Sequence, residues 1–350
     1  DGSRFAADAT TPRTLVDAGD ETVGIVGVAH PRTDTINPAA AGVTFTDPVP
    51  AVHEQAATLR AHGADYVVVV SHCGREDTRI ARETDVAAVL GGHIHDVYTG
   101  VIDGTIVERP GRAGRHVGEI RLGEQPTATV HEVTDDTVDD ALEGRLRERL
   151  GVHGLDEVVA TVDGAIERTE ETATVAESRV GNLVTDALRW RAGTDIALSP
   201  SGAIRSGDPL SGDVTVADLI GLSPYRDGLA EVELSGDRLR EAFVAIPFGY
   251  HDDDYPDRHC SHVSGATLVW DDDAGELLDA TIGGRPLDPD KQYTVAATDY
   301  LVDTDHVNGA FGENDVVTRH GLAREAIVDY AREVGVDPAI EGRIQRPTLE

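Results

Sequence analysis

The 350-residue chain contains no methionine, only two cysteines (Cys73 and Cys260), and a single lysine, Lys291, among its 30 basic residues. Aromatic residues make up 4% of it. Each scarcity excludes something. Two cysteines cannot build a disulfide framework. No apolar run is long enough for a membrane-spanning helix. With 64 acidic residues against 30 basic ones the formal charge is −34, which excludes binding to a nucleic-acid polymer through phosphate neutralisation. The carboxylates are spread along the chain rather than gathered in a tail. Such a surface suits a protein working in high salt, where charge is screened and carboxylates hold water and cations. A haloarchaeal-type origin is expected, in a salt-filled cytosol or exported into brine. A chain that starts at Asp1 and lacks methionine is expected not to include its native N-terminus.

What is present is organised around residues 66–96. Val67 to Val70 form a β-branched run expected to be a strand buried on both faces. It ends at Ser71-His72-Cys73-Gly74. A second run, Val86 to Leu90, ends at Gly91-Gly92-His93-Ile94-His95. Two parallel strands thus deliver His72, His93 and His95 to one edge of a sheet, where open α/β sheets place their sites. The two glycines let the backbone turn sharply and approach closely. Imidazole is a ligand for Zn, Mn, Fe or Ni, so metal binding is the expectation. Cys73 points to the opposite face from His72 and reads as a packing cysteine.

Around this centre the chain reads β-α-β-α-β. Thr22 to Ala29 is a buried strand. Asp47-Pro48 opens a helix bearing Val52, Ala56 and Leu59, with Gly63 beyond its end. A short polar helix spans 75–83, and a hairpin turns at Asp103-Gly104. Residues 116–122 and 128–133 alternate like strands. Residues 135–150 read as an acidic linker helix with Val138, Leu142, Leu146 and Leu150 at four-residue spacing. Ser178 caps a helix ended by Gly193. Further strands are expected near 196–198, 229–234, 267–270 and 293–297, with helices over 238–246 and 322–334. The segment 250–262, with His259-Cys260-Ser261-His262, reads as an exposed polar loop rather than a metal site.

Two features of the second half have a legible chemistry. Arg205 follows a glycine turn, Ser201-Gly202-Ala203-Ile204-Arg205, and its planar fork suits a ribose edge or a carboxylate. Two tyrosines on separate loops can take the two sides of a flat base.

The motifs VVVVSHCG and GGHIHD resemble the last two metal motifs of the calcineurin-like metallophosphoesterases. The second half resembles the C-terminal domain of the 5′-nucleotidase / UDP-sugar hydrolase family: ESRVGNLVTDA (177–187), SGAIR (201–205), SPYRDGLAEVELSG (223–236), YTVAATDYL (293–301) and EGRI (341–344) follow its order and spacing. The resemblance implies an α/β fold: a partial metallophosphoesterase α/β sandwich over 1–134, a linker helix over 135–156, and an α+β 5′-nucleotidase C-terminal domain over 157–350. It implies a metal-dependent phosphoester hydrolase acting on nucleotides as a 5′-nucleotidase, a 2′,3′-cyclic-nucleotide phosphodiesterase or a UDP-sugar hydrolase. Two divalent ions, Zn or Mn, would activate water, with His72 and His93 on one and His95 on the other. Arg205, Tyr225, Asp227, Tyr300 and Asp305 would bind the nucleotide.

The chain also departs from the family. Pro200 and Asp227 stand where relatives carry asparagine, and Thr174 where they carry arginine. Asp303-Thr304-Asp305-His306 replaces a GGDG turn, with Asp305 as the substitute ligand. The first metal motifs, D-x-H, GD and GNH, and with them the catalytic His-Asp dyad, do not occur before His72, and Gly19-Asp20 lies where relatives have a variable loop. The second metal site is therefore expected to be incomplete. The alternative expectation is a shortened, catalytically impaired relative that binds nucleotides without hydrolysing them.

Overall fold

A computed structural model describes residues 4–40, 42–134, 138–248, 261–271, 273–305 and 307–347. The chain separates into two compact units, residues 1–139 and 140–350.

The first unit is built on a six-stranded sheet. Its elements in order are β1 (Arg13–Ala18), β2 (Glu21–Ala29), α1 (Thr33–Ile36), α2 (Pro48–Ala61), β3 (Tyr66–His72), α3 (Glu76–Glu83), β4 (Ala88–Gly91), β5 (Val97–Ile102) and β6 (Thr105–Pro110). A two-stranded ribbon follows, β7 (His116–Arg121) and β8 (Thr127–Glu132). The sheet order is β1-β2-β3-β4-β6-β5. Strands β2, β3, β4 and β6 are parallel, and β1 and β5 are antiparallel edges. Asp47 caps α2 by accepting from the Val49 amide, with Pro48 in the first turn, where its missing N–H costs nothing. Val49, Val52, Ala56 and Leu59 of α2 and Ile80 of α3 bury one sheet face together with Val67, Val69 and Cys73. The burial of Cys73 pushes its thiol up to about 11.

The other face is thinner. Val68, Ala88 and Ile106 meet Ile120 and Ala128 of the ribbon, and Val70 is 49% exposed. The expected burial of this strand on both faces therefore fails at its last valine. Gly19-Asp20, the position of a variable loop in relatives, is a tight turn directly before β2. Residues 13–18 pair with β2 as a hairpin strand, and Gly19, at φ +75°, makes the turn.

The second unit begins with α4 (Asp140–Val152), shorter than the helix expected from residue 135; residues 135–137 lie outside the described set. Its apolar spacing does not mark a packed face, since Leu142 and Leu146 are 50% and 54% exposed. There follow β9 (Val158–Ile166), α5 (Glu170–Thr174), α6 (Arg179–Ala192), β10 (Ile196–Pro200), β11 (Leu210–Thr215), α7 (Val216–Ile220), β12 (Gly228–Ser235), α8 (Gly236–Phe248), β13 (Ser261–Ser264), β14 (Ala266–Asp271), β15 (Glu276–Ile282), β16 (Arg285–Pro286), β17 (Gln292–Thr298), α9 (Asp299–Asp303), β18 (Val316–Leu322), α10 (Ala323–Glu333) and β19 (Ile344–Gln345). The central sheet runs β13-β10-β17-β12-β18, with β10 and β17 parallel and the other pairs antiparallel. One of its faces packs on α8 and the sheet containing β14 and β15, around Phe243 and Trp270. The other packs on α6, α7 and α10, around Leu183, Leu188, Leu219 and Ile327.

The residues of the 177–187 motif hold this unit together. Ser178 caps α6 by accepting from the Gly181 amide. Glu177 accepts from the amides of Glu341 and Arg343 and from Asn182 Nδ2. Asn182 also donates to the carbonyl of Ala339. Asp186 accepts from Ser264 Oγ and Arg343. Residues about 160 positions apart in the chain are thus tied together, chiefly through hydrogen bonds to the charged carboxylates of Glu177 and Asp186.

The exposed loop expected over 250–262 is corrected at its end. Residues 249–260, including His259 and Cys260, lie outside the described set. Ser261–Ser264 form strand β13, and His262 is fully buried there.

Candidate functional site

In the first unit, strand register brings the histidines together. Ala29 of β2 lies opposite His72 of β3, and Ser71 lies opposite Gly91 of β4. The three parallel strands therefore end side by side at His30, His72 and the Gly91-Gly92-His93 turn. The His72 and His93 rings meet edge to face with centroids 5.2 Å apart. His30 stacks on His93 at 4.8 Å. His95 follows two residues on and is half-buried. His30 is the member that the sequence reading missed. Its signal was available, because TVGIVGVAH ends its parallel strand on a histidine just as VVVVSH does.

The turn works differently from expectation. Gly91 and Gly92 do not take positive φ; His93 does, at +73°. The glycines serve close approach instead. A Cβ at Gly91 would collide with the Asp77 carboxylate and Arg109, and one at Gly92 would stand 3.1 Å from His72 Nδ1. Asp77 is fully buried at the start of α3 and accepts from Ser71 Oγ at 2.5 Å. Arg109 lies 3.9 Å from Asp77, forks onto Asp96 at 2.6 and 2.9 Å, and covers the Tyr98 ring at 4.7 Å. Its hydrogen bonds hold the Asp96 carboxyl below the usual range. Burial, and then the neighbouring His93, lower the His72 pKa.

The donor chemistry suits a transition metal, but the fit to two ions is incomplete. The imidazoles stack and touch edge to face. Among the described residues no group of three or more His, Cys, Asp or Glu is arranged to hold a metal ion.

In the second unit the nucleotide candidates gather at one end of the central sheet. β10 and β17 end there, β12 begins there, and β18 ends opposite Gly228. The Arg205 amide donates to the Leu222 carbonyl at 2.8 Å, which places the turn after β10 against the segment before β12. The Arg205 guanidinium then lies 5.0 Å from the Tyr225 ring centre. Burial raises the Tyr225 hydroxyl pKa, against the opposing pull of Arg205. Tyr300 sits in α9, directly after β17, half-buried against the sheet core.

Asp227 begins an acidic group. Its pKa is raised by burial and by the charges of Asp299 and Asp303. Gly228 gives Asp299 its space, since a Cβ at 228 would collide with that carboxylate. Arg319 ties Asp299 to Glu313, at 3.1 and 2.8 Å. Asp299, Asp303 and Arg319 were missed by sequence reading, because β18 carries Arg319 from a distant position. Asp305 is exposed beyond α9, with its Cβ beside Gly309.

Residues 158–311 match the family model described as the 5′-nucleotidase C-terminal domain. An endonuclease, YhcR of Bacillus subtilis, is 24% identical over 87% of this chain and 26% of its own length. An apyrase of Aedes albopictus is 28% identical over 82% of this chain and 59% of its own length. The chain thus spans from a quarter to about three-fifths of these curated relatives. The crystal structure of a 5′-nucleotidase precursor from Thermus thermophilus superposes with a TM-score of 0.79 at 26% identity, over 96% of this chain and 74% of that one. The mixed α/β fold is that of 5′-nucleotidase structures, with its C-terminal domain in the second unit.

Proposed function

We propose that this chain is the nucleotide-handling part of a metal-dependent phosphoester hydrolase of the 5′-nucleotidase type, acting on nucleoside monophosphates. The observation that carries the reading is the Arg205–Tyr225 pairing at the C-terminal edge of the sheet, inside the domain matched by the 5′-nucleotidase model. A base stacks on Tyr225, with Tyr300 as the second aromatic of the site. Such stacking is worth about 1–3 kcal/mol per base. Arg205 directs its remaining donors to the ribose. Asp227 and Asp305 accept from sugar hydroxyls or base amines.

On this reading His72, His93 and His95 are the imidazole share of a divalent-metal centre, Zn or Mn, that supplies water activation when it is bound. Arg109 and Asp77 hold the turn that carries two of them. A net charge of −34 suits the enzyme to high salt, where screening weakens its self-repulsion. The imidazole-only donor set favours a second reading, in which this chain binds nucleotides without hydrolysing them.

The test is AMP binding and phosphate release measured on one sample in high KCl, with Mn or Zn added. Tyr225→Ala should weaken AMP binding by about tenfold, or roughly 1.4 kcal/mol. Phosphate release that His93→Ala abolishes supports the hydrolase; binding without release supports the second reading. An AMP affinity indifferent to Tyr225→Ala and Arg205→Ala refutes both.

A further inference from the structure

The second unit contains a cavity of about 550 Å³ at the opposite end of the central sheet from Arg205 and Tyr225. It is framed by the residues before β10 and β17, the start of β14 and the β15–β16 turn. Four of its thirteen lining residues are basic, Arg189, Arg285, Lys291 and Arg343, against 30 of 350 in the whole chain. One of them is the chain's only lysine.

Pairing separates these four cations. Arg343 is buried and neutralised, bonded to Asp186 and to Glu341. The other three are not. Among the described residues, Arg189 donates to the neutral Ser264 hydroxyl. Lys291 lies over the Tyr293 ring at 4.4 Å. Arg285 is exposed on the hairpin turn, and none of the three has an ion pair. Of the two carboxylates of the wall, Glu341 pairs with Arg343, and Asp195 accepts from the amide and hydroxyl of Thr294 and keeps its charge. The wall therefore carries four cations against two carboxylates. Three from separate elements around one hollow leave it positive within a strongly negative molecule.

The walls are shaped as well as charged. Gly265, at φ +80°, lies against the Asp195 carbonyl and 3.2 Å from Arg189 Nε, measured from the Cβ it lacks. Gly283 and Gly284 take φ +55° and +76°, which folds the tight turn presenting Arg285. Guanidinium forks recognise phosphate oxygens in pairs, and an ammonium adds a point charge.

We infer that this cavity is a binding site for a phosphate group, free or as a small phosphomonoester, held by Arg189, Arg285 and Lys291. This site does not depend on the nucleotide reading of the other sheet end.

The full chain, held at fixed high KCl so that diffuse attraction is screened, is titrated calorimetrically with inorganic phosphate and, separately, with glycerol phosphate. The double variant Arg285→Gln/Lys291→Gln changes two exposed side chains and keeps the core. It should bind at least about tenfold more weakly than the parent, whereas Arg205→Gln should bind as the parent does. Tighter binding of inorganic phosphate identifies free phosphate as the ligand, and tighter binding of glycerol phosphate identifies an ester. The inference is overturned if neither compound binds, if the double variant binds as tightly as the parent, or if Arg205→Gln removes the binding.

Discussion

Gly181, in the first turn of α6, lies flat against the imidazole of His262 in β13, and a Cβ there would overlap the ring. This contact locks α6 onto the central sheet. Gly181→Ala should destabilise the second unit by about 1–3 kcal/mol through overpacking, although alanine is the better helix former. Urea unfolding of the parent and the variant measures the difference. Equal midpoints would show that the helix can move away at little cost.

His262 gives the same unit a pH dependence. Burial holds its pKa down to about 4, opposed by the hydrogen bond from its ring to the Ala173 carbonyl. The unfolded chain takes up this proton near pH 6.5. Stability is therefore complete above about 6.5, and it falls as the pH drops toward 4, because only the unfolded state is protonated in that window. The full effect is about 3 kcal/mol. Unfolding midpoints at neutral pH and near pH 4.5 should differ less in His262→Gln than in the parent.

His93 holds φ +73°, a conformation that costs a residue with a Cβ about 1 kcal/mol and glycine almost nothing. His93→Gly should therefore leave the first unit about 1 kcal/mol more stable than His93→Ala, by thermal or urea melting. An ordering with alanine ahead would mean that the turn is not kept in solution.

Arg109 faces two carboxylates, the buried Asp77 and the half-exposed Asp96. Arg109→Gln removes the guanidinium that lies 3.9 Å from the buried Asp77 carboxylate and should cost roughly 3 kcal/mol. Asp96→Asn, on the exposed side, should cost well under half of that. Amide hydrogen exchange across residues 91–97 should quicken in both variants, since each releases the end of the histidine turn. Unchanged exchange in both would remove Arg109 from any role in positioning that turn.

Much of this architecture is legible in the residue order. The β-branched runs ending in histidine, the Asp47-Pro48 and Ser178 caps, Gly63 and Gly193, and the Asp103-Gly104 turn are local signals, and they produce β3, β4, α2, α6 and the β5–β6 hairpin. The order of short motifs in the second half marks the 5′-nucleotidase C-terminal domain, because a motif survives as a string even where its reason is remote. The reasons themselves are tertiary. Gly181 exists for a ring 81 positions away, Glu177 for the amides of 341 and 343, and Gly91 for Asp77 and Arg109. Strand register alone sets His30 beside His93, and only the pairing of β12 with β18 brings Arg319 to Asp299. Local pattern encodes which element forms. Which distant side chain fills the space that a glycine leaves, and which charge goes without a partner, is decided when the sheets pack.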